Sequence, residues 1–194
     1  MRVITGEYKG RRLASVKGAH IRYSADRVKK SLFSILRDVV PGARFLDLYA
    51  GSGNIGIEAI SRGAESVTFV DLNSACVKTI SANLERCGLS PSPPQIMLLK
   101  MGMARAMEYF RRHKMQFDII FLDPPYHLGL VGKSLQQISA CGILSTDGEV
   151  IAEHDVREDV PEQAGALIMT RQKRYGTTIL SFYAPAENEG RTAR

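Results

Sequence analysis

The sequence predicts an α/β protein, a Rossmann-like parallel sheet wrapped by helices, on three observations. From Arg44 onward short apolar runs alternate with amphipathic stretches of helical period, the pattern of βαβ units. The first run, Phe45-Leu46-Asp47-Leu48-Tyr49, leads through Ala50 into Gly51-Ser52-Gly53-Asn54-Ile55-Gly56, a Gly-x-Gly-x-x-Gly loop that opens a helix. The second run, Val67-Thr68-Phe69-Val70, ends on a carboxylate, Asp71, twenty residues after Gly51.

Taken in order, residues 2–15 alternate around Tyr8-Lys9-Gly10, with Gly6 and Gly10 as turn residues, and predict a short basic β-hairpin. Val28, Leu32, Ile35 and Leu36 then recur at helical intervals behind the N-cap candidates Ser24 and Asp26, so a helix is expected that stops before Pro41-Gly42. Strands are predicted at 44–48, 66–71, 95–99 and 118–122, and helices at 54–62, 74–87 and 102–111. The run Ser90-Pro91-Ser92-Pro93-Pro94 reads as an exposed loop within the domain. A helix near 131–140, a strand at 149–153 and two late runs, 165–171 and 176–183, complete seven strands. The last two runs are joined across Arg171 to Tyr175, short enough for a hairpin, so the closing strand is expected to lie antiparallel to its neighbours. The chain thus divides into a basic extension at 1–40, an α/β domain at 41–184 and a frayed tail at 185–194.

At 194 residues the chain has the length of one domain. Its 44% hydrophobic and 24% charged residues, with mean hydropathy −0.11, exclude a disordered polymer, a collagen-like repeat and a membrane protein. No secretion signal is legible at Met1-Arg2-Val3-Ile4, and a cytoplasmic protein is expected. Cys76, Cys87 and Cys141 form no Cys-x-x-Cys pair and read as buried reduced thiols; His20, His113, His127 and His154 lack ligand spacing, so no metal is assigned. Charge is concentrated at one end. Residues 1–40 hold ten Lys/Arg against three Asp/Glu, whereas the remainder holds 16 against 17. Lys9, Arg11, Arg12, Lys17, Arg22, Arg27, Lys29 and Lys30 therefore read as a polyanion-binding arm, which favours nucleic acid as partner. The later groups, Arg105 to Lys114 and Arg171 to Arg174, read as solvated faces.

Three missing side chains let a ligand approach the glycine loop closely, and Asp71 is placed to accept from both hydroxyls of a ribose. An adenosine-containing cofactor follows, either a nicotinamide dinucleotide or S-adenosylmethionine. The fourth strand decides between them, because it runs into Asp123-Pro124-Pro125-Tyr126, which a parallel sheet sets beside the glycine loop. An exocyclic amine on a base is a poor nucleophile while its lone pair is delocalised into the ring. Acceptors for its two N–H groups, the Asp123 carboxylate and the Pro124 carbonyl, favour the reactive pyramidal form, and the prolines restrict the backbone that holds them. Tyr126 offers a stacking face to an extruded base. Hydride transfer has no use for this loop.

With these motifs the chain resembles the bacterial 16S rRNA guanine-N2 methyltransferases that modify the small ribosomal subunit. The likeness runs through Val3-Ile4-Thr5-Gly6, Lys9-Gly10-Arg11-Arg12-Leu13, Asp26-Arg27-Val28, Ser31-Leu32-Phe33, Leu46 to Gly53, Asp123 to Tyr126 and Tyr175-Gly176. It implies a seven-stranded class I methyltransferase sheet, S-adenosylmethionine as cofactor and 16S rRNA of the small subunit as partner. The implied acceptor is the N2 amine of a guanine, guanine 966 being the family's site. Carried over by position, Asp47, Tyr49, Gly51, Ser52, Gly53, Gly56, Asp71, Leu72, Met103 and Asp123 would surround the cofactor, and Asp123, Pro124, Pro125 and Tyr126 the target base. Lys9, Arg11, Arg12, Arg22 and Arg27 would contact RNA, and a monomer is expected. Two departures stand out. Arg22-Tyr23-Ser24-Ala25 replaces the family's Arg-Pro-Thr, and Lys100-Met101-Gly102-Met103-Ala104 carries no Asp or Asn to bond the adenine amine. The rival readings are a same-fold methyltransferase of DNA adenine or protein glutamine, a non-catalytic RNA-binding scaffold, and an NAD-dependent oxidoreductase.

Overall fold

The computed structural model describes residues 1–16, 26–125 and 129–186. In chain order its elements are α1 (Asp26–Ile35), β1 (Arg44–Leu48), α2 (Asn54–Ser61), β2 (Ser66–Asp71), α3 (Ser74–Arg86), β3 (Ile96–Lys100), α4 (Met103–Arg112), β4 (Phe117–Leu122), α5 (Leu130–Cys141), β5 (Leu144–Asp155), β6 (Gln163–Ala164), β7 (Leu167–Tyr175) and β8 (Thr178–Pro185). One sheet contains every strand, in the order β3-β2-β1-β4-β5-β8-β7-β6. Strands β1 to β5 are parallel. Strand β8 runs against both β5 and β7, as expected of the closing strand, and this turns β7 back to the direction of β1.

Side chains alternate across the pleat, so each strand feeds two cores. Phe45, Phe69, Ile119, Phe121 and Ile151 face one layer, filled by Val28, Leu32 and Phe33 of α1, Ile55 and Ile57 of α2 and Ile80 and Leu84 of α3. Leu46, Leu48, Val70, Ile120 and Val150 face the other, filled by Met107 and Phe110 of α4 and Leu135 and Ile138 of α5. Val3 and Leu13 belong to the first core, so the N-terminal segment packs on the sheet's own helices.

The structure corrects several expectations. Among the described residues there are eight strands, the additional one being the two-residue β6 against the start of β7. Strand β5 reaches back to Leu144, and Arg171 to Tyr175, expected as a connection, lie inside β7; the turn is Gly176-Thr177. The charged side chains of β7 hid its strand character, since Thr170 to Arg174 are exposed on both of its faces. Ala184 and Pro185 pair with Ile168 and Leu167, so the ordered chain outlasts the expected start of the tail at 185, while 187–194 lie outside the described residues. At the N-terminus the expected hairpin reduces to a single bridge between Arg2 and Arg12, supported by Val3 N to Arg11 O and Gly10 N to Val3 O. Asp26 opens α1 from inside its first turn rather than capping it, and Ser24 lies outside the described residues. Cys141 is only half-buried, whereas Cys76 and Cys87 are buried as expected.

Candidate active site

Chain order reverses between β1 and β4, which are neighbours in the sheet, and this opens a crevice at their carboxyl ends. Into it project the glycine loop after β1, Asp71 at the end of β2 and Asp123-Pro124-Pro125 after β4. Tyr49 takes φ 60, a conformation costing a residue with a Cβ roughly 1–2 kcal/mol, and starts the sharp turn. Gly51 (φ 58) and Gly53 (φ 74) continue it at no such cost. Asp71 braces this turn from the adjacent strand: its Oδ2 accepts Gly51 N at 2.9 Å and its Oδ1 accepts Asn73 N at 2.8 Å.

The residues named from the sequence separate into two tiers. Gly51, Asp71, Leu72, Met103 and Asp123 are half-buried or exposed at the crevice, and Leu72 is 71% exposed although apolar. The Leu72 side chain lies across from Gly102, whose absent Cβ would stand 4.0 Å from Leu72 Cδ1. Asp47 and Gly56 lie beneath the loop instead. A Cβ on Gly56 would meet Phe69 Cε1 at 2.2 Å, so this glycine lets α2 rest on β2. Its N–H donates to Asp47 Oδ2 at 2.8 Å, and burial pushes the Asp47 carboxyl up to about 8 against that bond. Ser52 is buried, with its hydroxyl towards Met1 Sδ at 3.7 Å. Tyr49 reaches across to α5, its hydroxyl 3.0 Å from Ser134 Oγ. Pro124 is buried and Pro125 exposed; Tyr126 lies outside the described residues. Burial and the neighbouring Asp71 push the Cys76 thiol up to about 12, which leaves it an inert packing group.

Under the crevice runs a polar network that the sequence did not disclose. Lys29 of α1, read as part of the cationic arm, is fully buried: its Nζ donates to Asn54 Oδ1 and Arg2 O, both at 2.7 Å, and lies 3.2 Å from Glu58 Oε2. Burial lowers the Lys29 pKa, and Glu58 opposes that shift. Glu58 accepts Ile4 N, Thr5 N and Arg62 Nε. Asn83, also buried, exchanges two bonds with the backbone of Ala14 and donates to Ser52 O at 2.9 Å. One signal was available. Lys29, Glu58 and Asn83 all sit inside apolar helical stripes, where an unpartnered charge or amide costs several kcal/mol.

The arm's exposed cations fall at opposite ends of the molecule. Tyr8 N and Glu7 N bond Ser61 at the far end of α2, which carries Lys9 away from the glycine loop. Arg11 and Arg12 are exposed on the returning chain, and Arg27 is exposed at the start of α1, beside Asn54 through Lys29. Arg22 lies outside the described residues.

A sheet of this order with a glycine loop and an acidic residue at the ends of its first two strands defines the class I methyltransferase fold. Residues 1–184 match the family model "Conserved hypothetical protein 95". The chain belongs to this family, that of the bacterial ribosomal RNA small subunit methyltransferase D proteins. It is 39% identical to "Putative rRNA methyltransferase YlbH" of Bacillus subtilis, over 94% of this chain and 98% of that one. It is 29% identical to "Ribosomal RNA small subunit methyltransferase D" of Escherichia coli, over 94% and 89%. Among solved structures it superimposes on "Putative methyltransferase yhhF" from Escherichia coli with TM-score 0.79 at 28% identity, covering 97% of this chain and 99% of that one. Among the described residues no helix is long and apolar enough to cross a membrane.

Proposed function

We propose that the protein transfers a methyl group from S-adenosylmethionine to the N2 amine of a guanine in 16S rRNA of the small ribosomal subunit, at the family's guanine 966, in the cytoplasm. The observation that carries this reading is the adjacency of Asp123-Pro124-Pro125 to the glycine loop across the β1–β4 crevice. The residues present suit the cofactor. Asp71 offers carboxylate oxygens to ribose hydroxyls, Gly51 and Gly53 keep the loop open to close approach, and exposed Leu72 beside Gly102 and Met103 offers an apolar rest for adenine where no side-chain amide or carboxylate is provided. Met103 and Leu72 thereby take the place of the polar residue that related chains use. When bound, S-adenosylmethionine supplies an electrophilic methyl group. The chain's part is to present the amine: the Asp123 carboxylate and Pro124 carbonyl accept its two N–H groups, free its lone pair from the ring, and place Asp123 to receive the proton it sheds. The names of the relatives support rRNA as substrate, and the excess of cations before Pro41 supports a polyanion.

The test is tritium transfer from labelled S-adenosylmethionine to unmethylated small subunits, naked rRNA, DNA and protein, with nucleoside analysis of the digested RNA. Label in N2-methylguanosine is the expected result; label in DNA or protein would move the site to another amine. Asp123→Ala is expected to lose at least about a hundredfold in single-turnover rate at saturating S-adenosylmethionine. Normal turnover in that variant would remove Asp123 from the chemistry.

A further inference from the structure

We infer that the tip of the β7–β8 hairpin is an RNA-contact surface, in which Lys173 and Arg174 join Arg27 to form a basic rim beside the substrate crevice. The inference rests on the proposed reading of the crevice as an RNA-modifying site.

Direction of the strands comes first. Because β7 runs with β1 and β4, its last residues emerge at the carboxyl edge, the edge that holds Asp71, the glycine loop and Asp123. The turn Gly176-Thr177 stands beside the end of β5, with Val156 N donating to Thr177 O at 2.8 Å. In the sheet only β5 separates this hairpin from β4. The hairpin therefore overlooks the side of the crevice opposite the cofactor's ribose anchor at β2.

Helix α1 arrives at the same place from the first core. The Tyr175 hydroxyl makes a hydrogen bond with Ser31 Oγ. Arg27 lies one helical turn before Ser31 on the same side of α1, and Lys173 lies two residues before Tyr175 on the same face of β7. Lys29, two residues after Arg27, reaches Asn54 at the mouth of the glycine loop, so the start of α1 also sits at the carboxyl edge. Two clusters far apart in sequence meet at the hairpin tip, with Arg27 and Lys30 on one side of the Ser31–Tyr175 contact and Lys173 on the other, while Arg174, at the alternate position of β7, extends the rim from the opposite face of the tip; all four are exposed.

Charge pairing selects among the cations nearby. Arg171 is held by Glu149 and stacks over Phe182, and Arg157 is held by Asp155. Among the described residues, Lys173, Arg27 and Lys30 have no carboxylate partner, and Arg174 bonds only a backbone carbonyl, Gly176 O. Lys9, at the far end of α2, cannot touch the same few nucleotides. A guanine drawn into the crevice carries a phosphate on either side, and cations on the rim would hold these, which is the chemistry of backbone positioning rather than base reading.

The experiment compares Lys173→Ala/Arg174→Ala with the wild type and with Arg171→Ala. It measures binding to small subunits across a salt series, and methyl transfer in parallel. The expected result is a drop of about ten-fold or more in kcat/KM, with a salt slope shallower by about 1.4–1.8 for two lost phosphate contacts. Melting temperature and S-adenosylmethionine affinity should stay at wild-type values, and Arg171→Ala should leave the salt slope unchanged. A double variant with wild-type salt slope and kcat/KM would overturn the inference while leaving the reaction intact. If the wild type itself transfers no methyl to RNA, the proposed function fails, and the binding series still decides whether these cations contact RNA.

Discussion

Asp47 carries a carboxyl group into the floor of the crevice with a single backbone donor, Gly56 N, to compensate its burial. Its folded pKa of about 8 lies above the 3.8 of an exposed aspartate, so between those values the folded chain holds a proton that the unfolded chain has released. Unfolding sheds it, and this group's contribution therefore declines as pH rises from about 4 to 8, by at most ~1.4 kcal/mol per pH unit. Urea unfolding at pH 5, 6.5 and 8 should show that decline in the wild type and a flatter profile in Asp47→Asn; parallel profiles would mean the carboxylate folds ionised. Glu58 presents the opposite case, a buried charge surrounded by donors. Glu58→Ala would leave the buried Lys29 charge with only the neutral acceptors Asn54 Oδ1 and Arg2 O, and Ile4 N and Thr5 N without acceptors, with an expected loss of about 3–5 kcal/mol in chemical denaturation. A loss below 1 kcal/mol would show that water replaces the carboxylate.

Helix α2 is held to the sheet through one missing methyl group. In Gly56→Ala the new Cβ would sit 2.2 Å from the Phe69 ring, so the helix must lift, taking the glycine loop with it. We expect about 1–3 kcal/mol of destabilisation together with weaker S-adenosylmethionine binding, read by melting and calorimetry; a melting change with unaltered affinity would separate the helix from the loop. Elements with a buried face were legible from sequence, and those with an open face were not. Strands β1 and β2 were bounded correctly because both of their faces are buried, and the turn that begins at Tyr49 ends the one while Asp71 ends the other. Strand β7 was misplaced because Arg171 to Arg174 look like a loop until β8 is seen beside them. At the crevice the loop, Asp71 and Asp123 were legible as a motif. The support of Asn83, Glu58 and Lys29 was not, since their partners are distant in sequence: 53 and 54 residues for the backbone donors to Glu58, 69 and 31 for the partners of Asn83, and 27 and 25 for the acceptors of Lys29.

At the scale of the molecule, the first sixteen residues belong to the enzyme's floor as much as to its docking surface. Removing residues 1–16 would uncover the core at Val3 and Leu13 and take from Glu58, Lys29 and Asn83 their backbone partners at Ile4 and Thr5, Arg2 and Ala14. The truncated chain is expected to lose its cooperative melting transition and its S-adenosylmethionine affinity in the same step. Retention of both, with only RNA binding lost, would instead make the segment a detachable arm. The same wiring sets a schedule for synthesis. The segment leaves the ribosome before Glu58 and Asn83 have been translated, and its partners are reachable only by closing loops of more than fifty residues, the slow kind of contact. What is made earlier is therefore fastened later, and the support beneath the glycine loop is completed only when residues 1–16 return to lie against it.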